Sequence, residues 1–128
     1  MRIRMAVSVL VMVAMFVTVR QLTSEPAVPA LSVAEVQQRH AAGGEFLIID
    51  VREPEEFAAG HIPGAKLIPL AELQVRMSEL DRGVEIIVVC LTDNRSARAT
   101  RILVQAGFDA KHMRGGMLQW RGPVVKTK

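Results

Sequence analysis

The sequence has one cysteine (Cys90), one tryptophan and no tyrosine. A lone cysteine excludes an internal disulfide, so no disulfide framework holds the fold. The histidines His40, His61 and His112 stand far apart, and neither paired cysteines nor an HExxH pattern occurs. Such a pattern offers no metal site, and no cofactor is expected. Aromatic residues make up only 4% of the chain and do not interleave with basic clusters. The formal charge of +3 is therefore no argument for a nucleic-acid partner. Three arginines (Arg2, Arg4, Arg20) and one acid (Glu25) precede Pro29, so 13 of the 16 basic and 12 of the 13 acidic residues lie beyond it. The body of the chain is nearly neutral. Half of the residues are hydrophobic, enough to bury one core built mainly from Val, Ile, Leu and Ala.

The apolar residues begin at once. In "MRIRMAVSVLVMVAMFVTVRQL", residues 1–22, the stretch from Met5 to Val19 carries no charge. As a helix it would span about 22 Å, short of a ~30 Å hydrocarbon core unless Ile3, Leu22 and snorkelling arginines extend it. It reads as a signal anchor, or as a signal peptide cut after "VPA", Val28 to Ala30. Arg20 and Glu25 make the segment before that cut long and charged, which favours the uncleaved anchor. The arginines of the N-terminal flank place that end in the cytoplasm. The domain is then expected on the periplasmic side of the inner membrane, or secreted to the periplasm if the segment is cleaved. A core strand or helix is the competing reading. Residues 23–30 read as a linker, and 31–128 as the domain.

From Ser32 onward helical and strand patterns alternate. "SVAE" is a capping box that opens a helix running to about Ala42. "FLIIDV" and "EIIVVC" are continuous apolar runs of the kind found in buried parallel strands. "PEEFAAG" is a short helix with Pro54 at its start. "AKLIPL" is a brief strand, and "LAELQVRMSEL" is helical with Leu70, Leu73, Met77 and Leu80 on one face. "RSARATRILVQAG" is a helix with Ala97, Ile102, Leu103 and Ala106 expected inward. "AKHMRGG" gives a last strand and turn, and "MLQW" a closing helical turn. The fold class is α/β, with a mostly parallel central sheet flanked by helices.

Ligands of such sheets gather beyond the carboxyl ends of strands, near helix N-termini. Cys90 stands at that place in "VCLTDNRSAR". Four residues, Leu91, Thr92, Asp93 and Asn94, separate it from Arg95. A loop this short can turn several amide N–H groups inward and form an anion nest. The helix beginning near Arg95 and Ser96 adds its positive end. Both favour a thiolate, the nucleophilic form, over a thiol. Arg95 either adds charge or braces the loop. The competing reading is an inert cysteine ending a core strand.

Three ordered motifs now bear on that choice. "LIIDVREPEEFAAGHIPGAKLIPL", "VVCLTDNRSARATRILVQAGF" and "MRGGMLQW" together resemble the rhodanese (sulfurtransferase) family over roughly Leu31 to Val125. The resemblance implies that Cys90 takes a sulfane sulfur from a small donor and holds it as a persulfide. It then passes the sulfur to a thiol, to cyanide or to a protein acceptor. The related cell-cycle phosphatases carry one more residue between cysteine and arginine to surround a phosphate, so the shorter loop favours sulfur chemistry. Leu91 stands where many active members have a basic or polar residue, and Asp93 where a glycine is common nearby. The Asp93 charge is expected to oppose an anionic donor such as thiosulfate, with the Thr92 hydroxyl offsetting part of this. Asp50, Arg52 and Glu56 are expected as an ion-pair scaffold at the site's rim, and His61 as a structural histidine. A rhodanese-like binding module without turnover is the alternative function. A redox-sensing thiol would need a resolving cysteine from another chain.

Overall fold

The computed structural model describes the backbone of residues 2–22 and 26–128 and the side chains of 5–17 and 26–128. The side chains of Arg2, Ile3, Arg4, Arg20 and Leu22, and all of Glu25, lie outside these residues. Helix α1 (Arg2–Leu22) comes first. Met5, Leu10, Met12 and Phe16 on it are exposed. Among the described residues no helix is long and apolar enough to cross a membrane. The described apolar stretch, residues 5–17, is about 20 Å long as a helix. The expected anchor therefore gains no support from the fold.

The domain is a five-stranded sheet with order β1-β5-β4-β2-β3, every pair parallel. The strands are β1 (Ala30–Ser32), β2 (Leu47–Asp50), β3 (Lys66–Leu67), β4 (Ile86–Val89) and β5 (Ala110–Arg114). Helices α2 (Val33–Ala41), α3 (Pro54–Ala59), α4 (Leu73–Arg76), α5 (Asn94–Gln105) and α6 (Gly116–Gln119) flank it. The capping box is present at α2, where Ser32 Oγ accepts the Glu35 N–H at 3.1 Å.

The apolar runs form the central strands, as their composition requires. All four residues of β4 are buried. Alternation sends Ile86, Val88 and then Cys90 to the cluster holding Ala99 and Leu103 of α5 and Leu73 of α4. Ile87 and Val89 go to the opposite cluster, with Val36, Met113 and Trp120. Each of these buried aliphatic side chains contributes roughly 1.5–3 kcal/mol. Ile87→Ala, which leaves a cavity between sheet and α2, costs about 2–5 kcal/mol.

Three expectations change. Ala30, placed in the linker, begins the edge strand β1, which pairs with His112–Arg114. "LAELQVRMSEL" is α4 between two 3₁₀ turns, Leu70–Glu72 and Met77–Glu79. On α5 the buried face is Ser96, Ala99, Thr100 and Leu103, with Ile102 and Ala106 only partly covered and Ala97 half-buried. Two polar side chains sit on that face at the end nearest Cys90, where an apolar stripe was expected.

Candidate active site

Cys90 follows the last residue of β4, and Asn94 opens α5, so the cysteine loop bridges strand end and helix start. Asp93 is the N-cap residue of α5 but makes no side-chain cap bond there. Among the described residues, the amides of Leu91, Thr92, Asp93, Asn94, Arg95 and Ser96 donate to no acceptor in the chain. Buried or enclosed amides are ordinarily paired. A run of amides without acceptors beside a cysteine is the kind of backbone that can bind an anion.

Cys90 is 1% exposed. Burial alone would suit an inert core cysteine, but its hydrogen bonding does not. Its Sγ lies 3.3 Å from Ser96 Oγ, and that hydroxyl donates to the Asp93 carbonyl at 3.1 Å. The sulfur thus touches the first turn of α5, at the positive end of a helix of twelve residues.

The loop rests on the Gly-Gly turn. Met117 N–H donates to the Cys90 carbonyl at 2.8 Å, and Leu118 N–H to the Leu91 carbonyl at 3.0 Å. Those bonds turn loop carbonyls toward α6. Gly116, at φ +63°, approaches so closely that a Cβ there would stand 2.4 Å from the carbonyl oxygens of Leu91 and Thr92. Only glycine fits, by conformation and by space. Trp120 closes the core behind this turn, its Nε1 donating to the Pro123 carbonyl at 3.0 Å.

Arg95 braces the loop from the other side. Its Nη1 and Nη2 donate to Glu56 Oε1 and Oε2 of α3 at 2.6 and 3.0 Å. The Arg95 guanidinium holds the Glu56 carboxyl down at about 2. A fork of this kind fixes direction as well as charge. Glu56 is itself placed by the capping box of α3, where its Oε1 accepts the Glu53 N–H at 3.1 Å.

Asp50 and Arg52 are fully buried and lie one layer deeper. Arg52 Nε and Nη2 hold the Asp50 carboxylate at 2.7–3.1 Å, and Nη2 also reaches the Gly60 carbonyl at 2.8 Å. The pair ties the end of β2 to the turn after α3. It does not touch the cysteine loop by any hydrogen bond described. His61 likewise serves the scaffold. Its Nδ1 bonds the Phe57 carbonyl at 2.8 Å, its ring stacks on Phe57, and its backbone pairs with Val125.

Leu91, Thr92 and Asn94 are exposed at the loop's outer face, with Leu91 41% exposed. Asp93 departs from its expected place. Its Oδ1 accepts the Gly115 N–H at 2.8 Å and lies 4.0 Å from His112 Nδ1. The carboxylate is tied to the turn that supports the loop. His112 went unsuspected in the sequence. It is buried, and its Nδ1 is 3.4 Å from Ser96 Oγ. Burial lowers its pKa below the ordinary value, Asp93 opposes that shift, and Arg114 adds to it. The available signal was a histidine inside a buried strand just before the Gly-Gly turn. No group of three or more histidine, cysteine or carboxylate side chains among the described residues could hold a metal ion.

Comparison with known proteins agrees with this geometry. The family model of the Rhodanese-like domain matches residues 32–123. The chain is 43% identical over 94 residues to an HTH-type transcriptional regulator of Mycobacterium tuberculosis, with 72% of this chain and 41% of the regulator covered. It is 34% identical over 86 residues to a sulfurtransferase of Allochromatium vinosum, with 66% of this chain and 80% of that protein covered. The crystal structure of a rhodanese-related protein from Thermoplasma volcanium superposes with a TM-score of 0.70 at 32% identity, covering 76% of this chain and 97% of that one. The family model spans most of the chain and the parallel α/β sheet superposes on a rhodanese-related structure: this chain is a member of the rhodanese-like domain family.

Proposed function

We propose that the protein is a sulfurtransferase that carries a sulfane sulfur as a persulfide on Cys90. Sulfur transfer is an activity of this family, and one similar protein bears the name sulfurtransferase. The observation that carries the reading is the run of amides from Leu91 to Ser96 that follows Cys90 and, among the described residues, finds no acceptor. A persulfide anion needs several hydrogen-bond donors and positive potential in a small space. The α5 N-terminus supplies the potential, and the Arg95–Glu56 fork holds the loop's shape.

The Cys90 thiolate attacks the outer sulfur of the donor. A Cys–S–S bond forms, the donor's S–S bond breaks, and its electron pair leaves with the donor remainder. An acceptor thiolate or cyanide then takes the outer sulfur and releases the Cys90 thiolate. Burial of Cys90 suits small donors such as thiosulfate, polysulfide or glutathione persulfide. The half-exposed Asp93 carboxylate at the loop supports a preference for donors less charged than thiosulfate.

Residues 1–22 act in this reading as a signal anchor, or as a cleaved signal peptide, that brings the domain to the periplasmic side of the inner membrane. The exposed Met5, Leu10, Met12 and Phe16 of α1 support a need for an apolar environment. Protease applied to spheroplasts should then digest a C-terminal tag, and a protected tag contradicts the orientation.

The activity is tested by thiocyanate formation from cyanide with each donor. Turnover is expected with at least one donor and none with Cys90→Ser. Absence of turnover with all three donors contradicts the proposal and leaves a rhodanese-like binding module.

A further inference from the structure

His112 is a buried titratable side chain that the steps above do not use. The β4–β5 register sets it beside Val88. Val88 and Cys90 share the sheet face turned to α5, so His112 points to the same place. Its Nδ1 is 3.4 Å from Ser96 Oγ, and Ser96 Oγ is 3.3 Å from Cys90 Sγ. The Asp93 Oδ1 stands 4.0 Å from the same Nδ1. Four side chains from the end of β4, the loop, α5 and β5 thus meet: the sulfur contacts the hydroxyl, and hydroxyl and carboxylate both face the imidazole Nδ1.

We propose that His112 is a positioning residue for the sulfur chemistry, holding through Ser96 the proton that Cys90 gives up. The proposal rests on the sulfurtransferase reading and adds to it the fate of that proton. A serine hydroxyl accepts from one neighbour while donating to another. The Cys90 S–H bond breaks and its electron pair stays on sulfur. The Ser96 hydroxyl, which at rest donates to the Asp93 carbonyl, turns toward His112; its Oγ takes the Cys90 proton and passes its own to the His112 Nδ1 lone pair. No electrons change owner. Thiol and neutral imidazole become thiolate and imidazolium, and the Asp93 carboxylate faces the new positive charge. The released thiolate reacts with the donor as above. When the acceptor removes the sulfur, the proton returns along the same two bonds.

The groups around His112 are compatible with a reversible role. Asp93 from the loop favours the charged ring, and Arg114 from its own strand and burial disfavour it. From α5 it meets Ser96, and from the segment before β1 the Pro29 carbonyl accepts its backbone N–H at 3.0 Å. Asp93 thereby has a place in the site. Its charge balances an imidazolium, where the sequence alone suggested only repulsion of the donor.

The test is the rate of Cys90 alkylation by iodoacetamide across pH, for the full chain, His112→Asn, Ser96→Ala and the double variant. Asparagine keeps a hydrogen-bonding atom near the Nδ1 position and cannot hold the proton. Alkylation near neutral pH should slow about tenfold in His112→Asn, equivalent to a one-unit change in the thiolate equilibrium. Ser96→Ala should slow it comparably, and the double variant should be no slower than the slower single one. Profiles that coincide with the unaltered protein's overturn the proposal. Should His112→Asn fail to fold, NMR titration of the His112 ring decides. The ring should titrate at lower pH in Cys90→Ser, because the stabilising thiolate is gone, and an unmoved midpoint overturns the relay. Neither readout uses a sulfur donor. A protein that alkylates as expected but takes up no sulfur refutes the sulfurtransferase reading and not the relay.

Discussion

The Asp93 carboxylate accepts the Gly115 N–H at 2.8 Å and stands 4.0 Å from His112 Nδ1. One acidic side chain therefore joins the cysteine loop to the Gly-Gly turn and sets a negative charge beside a buried imidazole. Asp93→Asn keeps the acceptor and removes the charge. Loss of the imidazolium's counter-charge slows loading from every donor, so donor selection is read as a ratio. Loading from thiosulfate relative to loading from a less charged donor should rise about three- to tenfold at low salt, and the gain should shrink as salt screens the charge. Asp93→Ala also removes the bond to Gly115 and should cost about 1–2 kcal/mol of stability. Stopped loading at two ionic strengths, with denaturant unfolding alongside, checks both. An unchanged donor ratio for Asp93→Asn would show that this charge does not select the donor.

Gly116 is the position where the loop tolerates nothing larger than hydrogen. A Cβ at 2.4 Å from two loop carbonyls, at φ +63°, forces either the turn or the loop to move. Gly116→Ala should lower unfolding free energy by roughly 2–4 kcal/mol. It should slow Cys90 loading even where the protein remains folded, since the displaced carbonyls belong to the loop residues Leu91 and Thr92. Urea unfolding gives the first quantity and loading kinetics the second.

The Glu56–Arg95 fork carries a pH signature. Arg95 holds Glu56 at about 2, below its unfolded value of 4.5. The folded state thus keeps Glu56 ionised where the unfolded chain binds a proton. Its stabilisation is fully present above about 4.5 and disappears as pH falls to about 2. Both partners are about one-third exposed, so solvent screens the pair, and a contribution of about 1 kcal/mol is expected. Glu56→Gln should lower Tm by about 2–6 °C at neutral pH, with no difference left near pH 2. Thermal melts of both proteins across acid pH measure the gap. A difference that persists undiminished at the acid end contradicts the assignment.

Arg95→Lys separates charge from geometry at the same place. Lysine keeps the positive charge but cannot form the two-pronged bond to Glu56. Loading should fall about tenfold if the fork fixes the loop, and should stay near the unaltered rate if the charge alone matters.

The parts of this site that lie close together in sequence were legible there. "EIIVVC" followed by a short polar loop and a helical run placed Cys90 at a strand end, and β4 and α5 flank it as that pattern requires. "MRGG" marked a turn, although that Gly116 presses on the loop carbonyls depends on how β5 returns beside β4. The relation of His112 to Ser96 was hidden for the same reason. The two residues are sixteen positions apart, and only the parallel β4–β5 register brings them together. Edge strand β1 is three residues long, too short for period-two alternation to stand out beside Pro29. The break-up of "LAELQVRMSEL" into α4 and two 3₁₀ turns also escapes a pattern of apolar positions, because Leu73 and Leu80 reach the core from either arrangement. The direction taken by the Asp93 side chain depends on a partner 22 positions away, and no local spacing encodes it.

Mass analysis of the intact protein after incubation with a sulfane donor and removal of the excess tests the central claim most directly. The account predicts one added sulfur atom on the unaltered chain, none on Cys90→Ser, and return to the starting mass when cyanide is added. A chain that gains no sulfur from thiosulfate, polysulfide or glutathione persulfide, or a Cys90→Ser protein that gains it equally, would contradict the account.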